Sequence, residues 1–205
     1  DALMTALIRP RSLAVIGASP NRQTLGNVAL DNLKNYKYAG KVVAVHAEAK
    51  SIDGWPTVDS IETLPADVET VLASVPAAGV AEVIRRLERK GVPTAIINTA
   101  GFSPSQEAEL RQLVNSTKVL MHGPNCMGHI NLSDATPIYT GGITPRIRKG
   151  NVALIAQSGS AAISVINSCT AGFSKVVTIG SEYRVTAADY LNDTLGLGLN
   201  KTSVV

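Results

Sequence analysis

The chain has 205 residues, 45% of them hydrophobic and 17% charged, a composition that builds a packed core and excludes a disordered chain or a staple-dependent miniprotein. Its 17 glycines and 10 prolines form no three-residue repeat or low-complexity tract, which excludes collagen-like and linker-like chains. The formal net charge is +3, the basic residues are scattered apart from Arg146, Arg148 and Lys149, and aromatics make up 4%, so nucleic acid is not expected as a partner.

Short Val- and Ile-rich runs recur with helix-length segments between them, the pattern of buried parallel strands joined by crossover helices. Strands are expected at Leu13–Ile16, Lys41–Val45, Thr70–Val75, Thr94–Asn98 and Val119–Met121. Leu25–Tyr36, Val80–Lys90 and Ser105–Asn115 carry apolar residues at helical spacing. Ser103 and Pro104 read as an N-cap followed by a first-turn proline, and Glu107 suits the positive end of that helix. These elements make a doubly wound parallel sheet of Rossmann type over residues 1–133. Residues 134–149, rich in glycine and proline, read as a domain connection. The alternation then restarts with strand Val152–Ala156, helix Ala161–Ala171, strand Lys175–Ile179, helix Ala187–Leu195 and a strand near Thr202, an incomplete α/β domain over 150–205.

No apolar run reaches the roughly 18–20 residues of a membrane span and no secretory leader is evident, so the expected location is cytoplasmic and no membrane partner is expected. Cys126 and Cys169 lack metal-ligand spacing and read as reduced, packed thiols, with no metal site expected. The first residue, Asp1, and the strand-like last residues read as cuts in a longer chain.

In an open parallel sheet, ligands gather where strands end and helices begin. After the first strand comes Gly17-Ala18-Ser19-Pro20-Asn21-Arg22, whose small residues and free N–H groups suit a phosphate at the start of a helix. Ser19 and Arg22 stand where a dinucleotide fingerprint has its second and third glycines, so an NAD(P) reading, with Glu48 as the ribose acid, is disfavoured. Val75-Pro76-Ala77, Asn98-Thr99-Ala100-Gly101 and Gly123-Pro124-Asn125 follow later strands as narrow turns. In the second unit Ser158-Gly159-Ser160 opens a helix and aims hydroxyl and N–H groups at an anion. It is not a nucleophile elbow, and His46, His122 and His129 read as structural or solvated.

Six segments in register resemble the NDP-forming acyl-CoA synthetases, relatives of the succinyl-CoA synthetase α subunit: P-R-S-L-A-V-I-G-A-S (10–19), V-P-A (75–77), N-T-A-G-F (98–102), G-P-N-C-M-G (123–128), G-N-V-A-L-I-A-Q-S-G-S (150–160) and G-F-S-K-V-V-T-I-G (172–180). The resemblance implies a Rossmann-like domain that binds coenzyme A, followed by the first part of a flavodoxin-like ligase domain. It implies that Gly17, Ser19, Pro20, Asn21 and Arg22 take the CoA phosphates and nucleotide. Val75, Pro76, Asn98, Thr99 and Ala100 would line the pantetheine path, and Gly123, Pro124 and Asn125 would lie near its thiol. Lys50 matches the family's phosphate-reaching lysine only across a gap, beside an unfavourable Glu48. Ser158, Gly159 and Ser160 would hold a phosphoryl group.

The implied reaction interconverts acyl-CoA, NDP and phosphate with acid, CoA and NTP through an acyl phosphate and a phosphohistidine. The resemblance places that histidine, an orienting glutamate and an ATP-grasp part binding ATP or GTP with Mg outside this chain, so no catalytic residue is expected here. The ATP-grasp part would be fused or a separate subunit, in an oligomer acting on a carboxylic acid. The alternative is a non-catalytic CoA-responsive regulatory module of a larger protein such as an acyltransferase.

Overall fold

The computed structural model describes residues 2–143, 147–196 and the backbone of 203–204. Helix α1 (Ala2–Ile8) leads into strand β1 (Ser12–Ile16), helix α2 (Leu25–Asn35) and strand β2 (Lys41–Val45). A small hairpin, β3 (Ser51–Ile52) and β4 (Trp55–Val58), precedes β5 (Thr70–Ala73), α3 (Ala77–Lys90), β6 (Thr94–Ile97), α4 (Pro104–Ser116) and β7 (Leu120–His122). Strands β8 (Gly128–Asn131), β9 (Thr136–Tyr139) and β10 (Lys149–Ala156), helix α5 (Gly159–Ser168), β11 (Phe173–Thr178), α6 (Ala187–Gly196) and β12 (Ser203–Val204) complete the order. All the helices and strands expected within the described residues are present, with ends shifted by a few residues. The expected strand start, Thr202, lies outside those residues, as does Arg146 of the basic cluster.

The first sheet runs β3-β4-β2-β1-β5-β6-β7, with every pair parallel except β3 with β4. With β4 counted as the third strand, this is the strand order of a dinucleotide-binding fold, whose direction reverses between β1 and β5. The reversal opens a crevice at the carboxyl ends of those two strands. The second sheet runs β12-β10-β11-β8-β9, parallel through β12, β10 and β11, with β8 antiparallel to β11 and β9 antiparallel to β8.

The stretch 134–149, expected as a connection, carries β9, and the 128–139 hairpin that straddles residue 133 lies wholly in the second sheet. Its four-residue strands are too short to show a period, and Pro137 masks β9. Pro137 is tolerated because β9 is an edge strand.

Local chemistry places the helices. Thr24 caps α2 through the Asn27 amide, and the Asn27 side chain answers the Thr24 backbone. Ser103 and Gln106 form the same reciprocal cap on α4, with Pro104 in its first turn and Glu107 behind it. One core joins the two sheets through Leu7, Leu30, Ile96, Cys126, Ile138, Val177 and Tyr190, and a second lies under α3 and α4. A strap after β11 fixes the sheets to each other. Its Ser181, Tyr183 and Val185 amides donate to the carbonyls of Pro124, Gly123 and Met121, covering the free edge of β7. Arg184 caps the end of α4 by donating to the Val114 and Thr117 carbonyls, both at 2.6 Å.

Candidate functional site

The turns that follow β1, β5, β6 and β7 are stitched into one rim. The Ser74 amide donates to Ile16 O at 2.9 Å, the Thr99 hydroxyl to Val75 O at 2.7 Å, and the Asn125 amide to Thr99 O at 2.9 Å. Gly17 begins the first turn at φ +99°, and a Cβ there would lie 2.0 Å from Ser74 O, so only glycine lets β1 leave the sheet beside β5. Gly26 allows the start of α2 to touch the turn, since a Cβ there would lie 2.5 Å from the Ala18 amide nitrogen. It thus serves the close-packing role of the last glycine in a dinucleotide fingerprint.

Asn27 organises this turn from beneath. Its Oδ1 accepts from the Ser19 amide at 2.9 Å and the Thr24 amide at 3.2 Å, while its Nδ2 donates to Ser19 O at 2.9 Å and Asp53 Oδ2 at 2.7 Å. Asn27 is buried, whereas Pro20, Asn21 and Arg22 are exposed and Ser19 half-buried. The anchored turn therefore presents its outer backbone to solvent.

A cleft of ≈ 350 Å³ lies between the sheets. Asn98, Asn125 and Cys126 reach it from the first rim, and Ser158, Gly159 and Ser160 from the start of α5. The Ser158 Oγ accepts from the Ala161 amide at 3.4 Å and so caps the helix. The amides of Gly159 and Ser160 lie in the first turn, where a helix supplies no internal acceptor, and they carry the positive end of its dipole. At the rim two buried polar atoms, Ser74 Oγ and Asn98 Nδ2, have no partner among the described residues. Such groups cost free energy unless something supplies an acceptor.

The other expected residues fall into two groups. Val75 is half-buried while Pro76 and Ala100 are exposed along the rim, flanking the crevice. Gly123 and Pro124 are buried, and their carbonyls are taken by the strap. Lys50 lies apart, in a separate cleft of ≈ 310 Å³ with Glu48, Asp59 and His46. There the His46 Nδ1 accepts from the Glu48 and Ala49 amides, which rounds the turn after β2.

His122 and His129 are fully buried between the sheets. The His122 Nε2 donates to Thr178 O at 3.0 Å and its Nδ1 accepts from the Tyr190 hydroxyl at 2.9 Å. His129 Nε2 donates to Leu7 O at 2.9 Å. Burial pushes both down, His122 to about 3 with His129 adding to the effect, and His129 to about 4, so both are neutral near pH 7. Both nitrogens of His122 are engaged, which fits the structural role expected of it. Burial also pushes the Cys126 thiol up to about 12, so this cleft-lining sulfur stays protonated.

Sequence reasoning misses Asn27 and Thr140 as neighbours of these clefts and turns, and it assigns no site role to Leu25, Gly26, Met127 or Gln157, although all four lie in the turns after strands that it singles out. The Thr24-x-x-Asn27 spacing held a readable capping signal. Thr140 lies in the segment read as a connection, whereas Met127 and Gln157 fall within the quoted motifs at 123–128 and 150–160.

Residues 11–131 match the CoA binding domain family, and residues 149–196 match the succinyl-CoA ligase like flavodoxin domain. The chain is 33% identical over 197 residues to an ADP-forming acetate–CoA ligase I of Archaeoglobus fulgidus, covering 92% of this chain and 28% of that protein. It is 32% identical over 208 residues to the ADP-forming acetate–CoA ligase II subunit alpha of Pyrococcus furiosus, covering 94% of this chain and 44% of that subunit. Its fold superposes with a TM-score of 0.88 at 27% identity on the apo dinucleotide forming acetyl-coenzyme A synthetase 1 of Ca. Korarchaeum cryptofilum, covering 98% of this chain and 45% of that one. The chain thus spans less than half the length of these relatives. With its CoA-type first sheet joined to a ligase-type second unit, it belongs to the CoA binding domain family in the arrangement found among NDP-forming acyl-CoA synthetases.

Proposed function

We propose that this chain is the CoA-binding and phosphoryl-holding portion of an NDP-forming acyl-CoA synthetase, which interconverts acyl-CoA, NDP and phosphate with acid, CoA and NTP. The observation that carries the reading is the cleft in which Asn98 and Asn125 of one sheet face the Ser158–Ser160 helix start of the other. A thiol ester and a phosphoryl group must meet in this reaction, and such a cleft brings an uncharged rim to an amide-rich anion site.

In this reading Gly17, Ser19, Pro20, Asn21 and Arg22 form the turn at the start of a helix that holds the nucleotide end of CoA. Val75, Pro76, Thr99 and Ala100 flank its pantetheine arm, and Asn98, Gly123, Pro124 and Asn125 surround the thiol end. Leu25, 53% exposed beside the cleft, supplies apolar surface suited to a slim aliphatic arm. Lys50 faces the far-end phosphate from its own cleft, against the opposing charges of Glu48 and Asp59. Ser158, Gly159 and Ser160 hold the phosphoryl group with fixed dipoles. In this reading CoA binding falls over 1–133 and ligase chemistry from 150 onward. The 128–139 hairpin supports the second unit.

The phosphohistidine and the ATP-grasp part with ATP or GTP and Mg belong to other parts of the same chain or to a partner subunit, in an oligomer. A cytoplasmic location accords with the free thiols Cys126 and Cys169, and among the described residues no helix is long and apolar enough to cross a membrane. The test is turnover by the full-length protein with its nucleotide-binding part. Release of NDP and phosphate from NTP is expected to require both CoA and a carboxylic acid. CoA binding without turnover would overturn the ligase reading in favour of a CoA-responsive regulatory module.

A further inference from the structure

Asn98 has chemistry that a merely lining residue does not need. It is 9% exposed, its Nδ2 is buried without a partner, and it lines the cleft opposite the start of α5. Side chains alternate along an extended strand. Ile97 belongs to the core under α3 and α4, whereas Ile96 belongs to the core shared with Cys126 and Val177 of the second sheet. Asn98, in phase with Ile96, is therefore turned toward the second sheet, while Thr99 turns the other way and spends its hydroxyl on Val75 O. A buried amide that donates to nothing is a standing cost to the fold. A ligand oxygen placed between the thiol end and the phosphoryl site would remove that cost.

We propose that Asn98 is a catalytic hydrogen-bond donor to the acyl carbonyl oxygen, an inference that rests on the ligase reading above. In the acyl-transfer step the CoA sulfur, having given up its proton, bonds to the carbonyl carbon of the acyl phosphate, and the C=O π pair moves onto oxygen. That oxyanion accepts from Asn98 Nδ2. When the C=O re-forms, the carbon–oxygen bond to the phosphoryl group breaks. Phosphate leaves with the electron pair to the α5 start and takes up the proton that the thiol released. The Asn98 amide transfers no proton; it is already desolvated and aimed, so its bond to oxygen strengthens as charge develops.

The test uses the full-length protein, wild type and the variants Asn98→Leu, close in volume, and Asn98→Ala. Three readouts are taken: binding of CoA by calorimetry, the infrared carbonyl stretch of bound [1-¹³C]acetyl-CoA, and conversion of acetyl-CoA and phosphate to acetyl phosphate and CoA. In the wild type the carbonyl stretch is expected to shift to lower wavenumber than in water-free solvent, and both variants are expected to lose that shift. Their kcat is expected to fall about 100-fold, the usual cost of one oxyanion donor, with the Kd for CoA within twofold. Asn98→Leu should melt no lower than wild type, because it removes an orphaned donor; a lower midpoint would instead make Asn98 a structural residue. An unshifted carbonyl in the wild type, a kcat changed less than threefold, or a Kd for CoA that rises in step with the loss of rate would overturn the proposal. Wild-type protein that binds neither CoA nor acetyl-CoA would instead sink the ligase reading itself.

Discussion

Asn27 is the most informative position to perturb, because one buried side chain holds the first turn to the helix behind it. Asn27→Ala removes five hydrogen bonds: to the Ser19 and Thr24 amides, the Thr24 hydroxyl, the Ser19 carbonyl and Asp53. At about 0.5–1.5 kcal/mol each the loss is about 2.5–7.5 kcal/mol, part of it the loss of the helix cap. For a domain of this size that lowers the melting midpoint by roughly 8–22 °C. Wherever the turn is loosened, CoA affinity falls in proportion to the population of the competent conformation, about tenfold per 1.4 kcal/mol. Asn27→Asp separates the bonds, because it keeps the acceptor for Ser19 and Thr24 but sets a second carboxylate against Asp53, 2.7 Å from the position of Nδ2. It should be less stable than Asn27→Ala at pH 7 and recover partly as the pH falls toward 5. Differential scanning calorimetry with a parallel CoA titration reads both effects. A midpoint within 2 °C of wild type for Asn27→Ala, or CoA affinity unchanged in a variant that has lost stability, would refute the stapled-turn account.

Two further predictions follow from burial and backbone geometry. His122 and His129 are held down to about 3 and about 4, below the ordinary 6.5, so the unfolded chain takes up protons that the folded one refuses. Their stabilising contribution is complete above pH 6.5 and shrinks as pH falls, by about 2 kcal/mol per histidine and about 4 kcal/mol together between pH 7 and pH 5. Glu62, held down to about 2 by Arg86, acts in the same direction only at lower pH. Urea unfolding at pH 7, 6 and 5 measures the slope, which His129→Gln should roughly halve; a flat profile would show that the two rings are not held neutral. Gly17→Val should fail first in folding, since its Cβ meets the Ser74 carbonyl at 2.0 Å. A soluble, cooperatively melting Gly17→Val protein would contradict the tight β1–β5 exit.

Most of the parallel architecture was legible because buried strands announce themselves as Val/Ile runs: Lys41–Val45 matched the expected span residue for residue. Caps read from Ser103, Pro104 and Glu107 were equally local signals. What stayed hidden depends on distant partners. Helix α1 has only seven residues and earns its place by burying Leu7 and Ile8. The 128–139 hairpin shows no period, and the strap at 181–185 is visible only once β7 offers an edge. Within the candidate site, turns after strands were readable from their small residues and position. The isolation of Lys50 and the orphaned amide of Asn98 were not, because burial and partnership belong to the folded arrangement.

The central claim is that the rim built by the turns after β1, β5, β6 and β7 accepts coenzyme A rather than a nicotinamide dinucleotide. Parallel calorimetric titrations with CoA and with NADH test it most directly. The account predicts one saturable CoA site with a Kd of about 1–100 µM, the range of roughly −8.2 to −5.5 kcal/mol, and no saturable NADH binding. NADH bound as tightly as CoA, or no CoA binding at millimolar concentration, would contradict it.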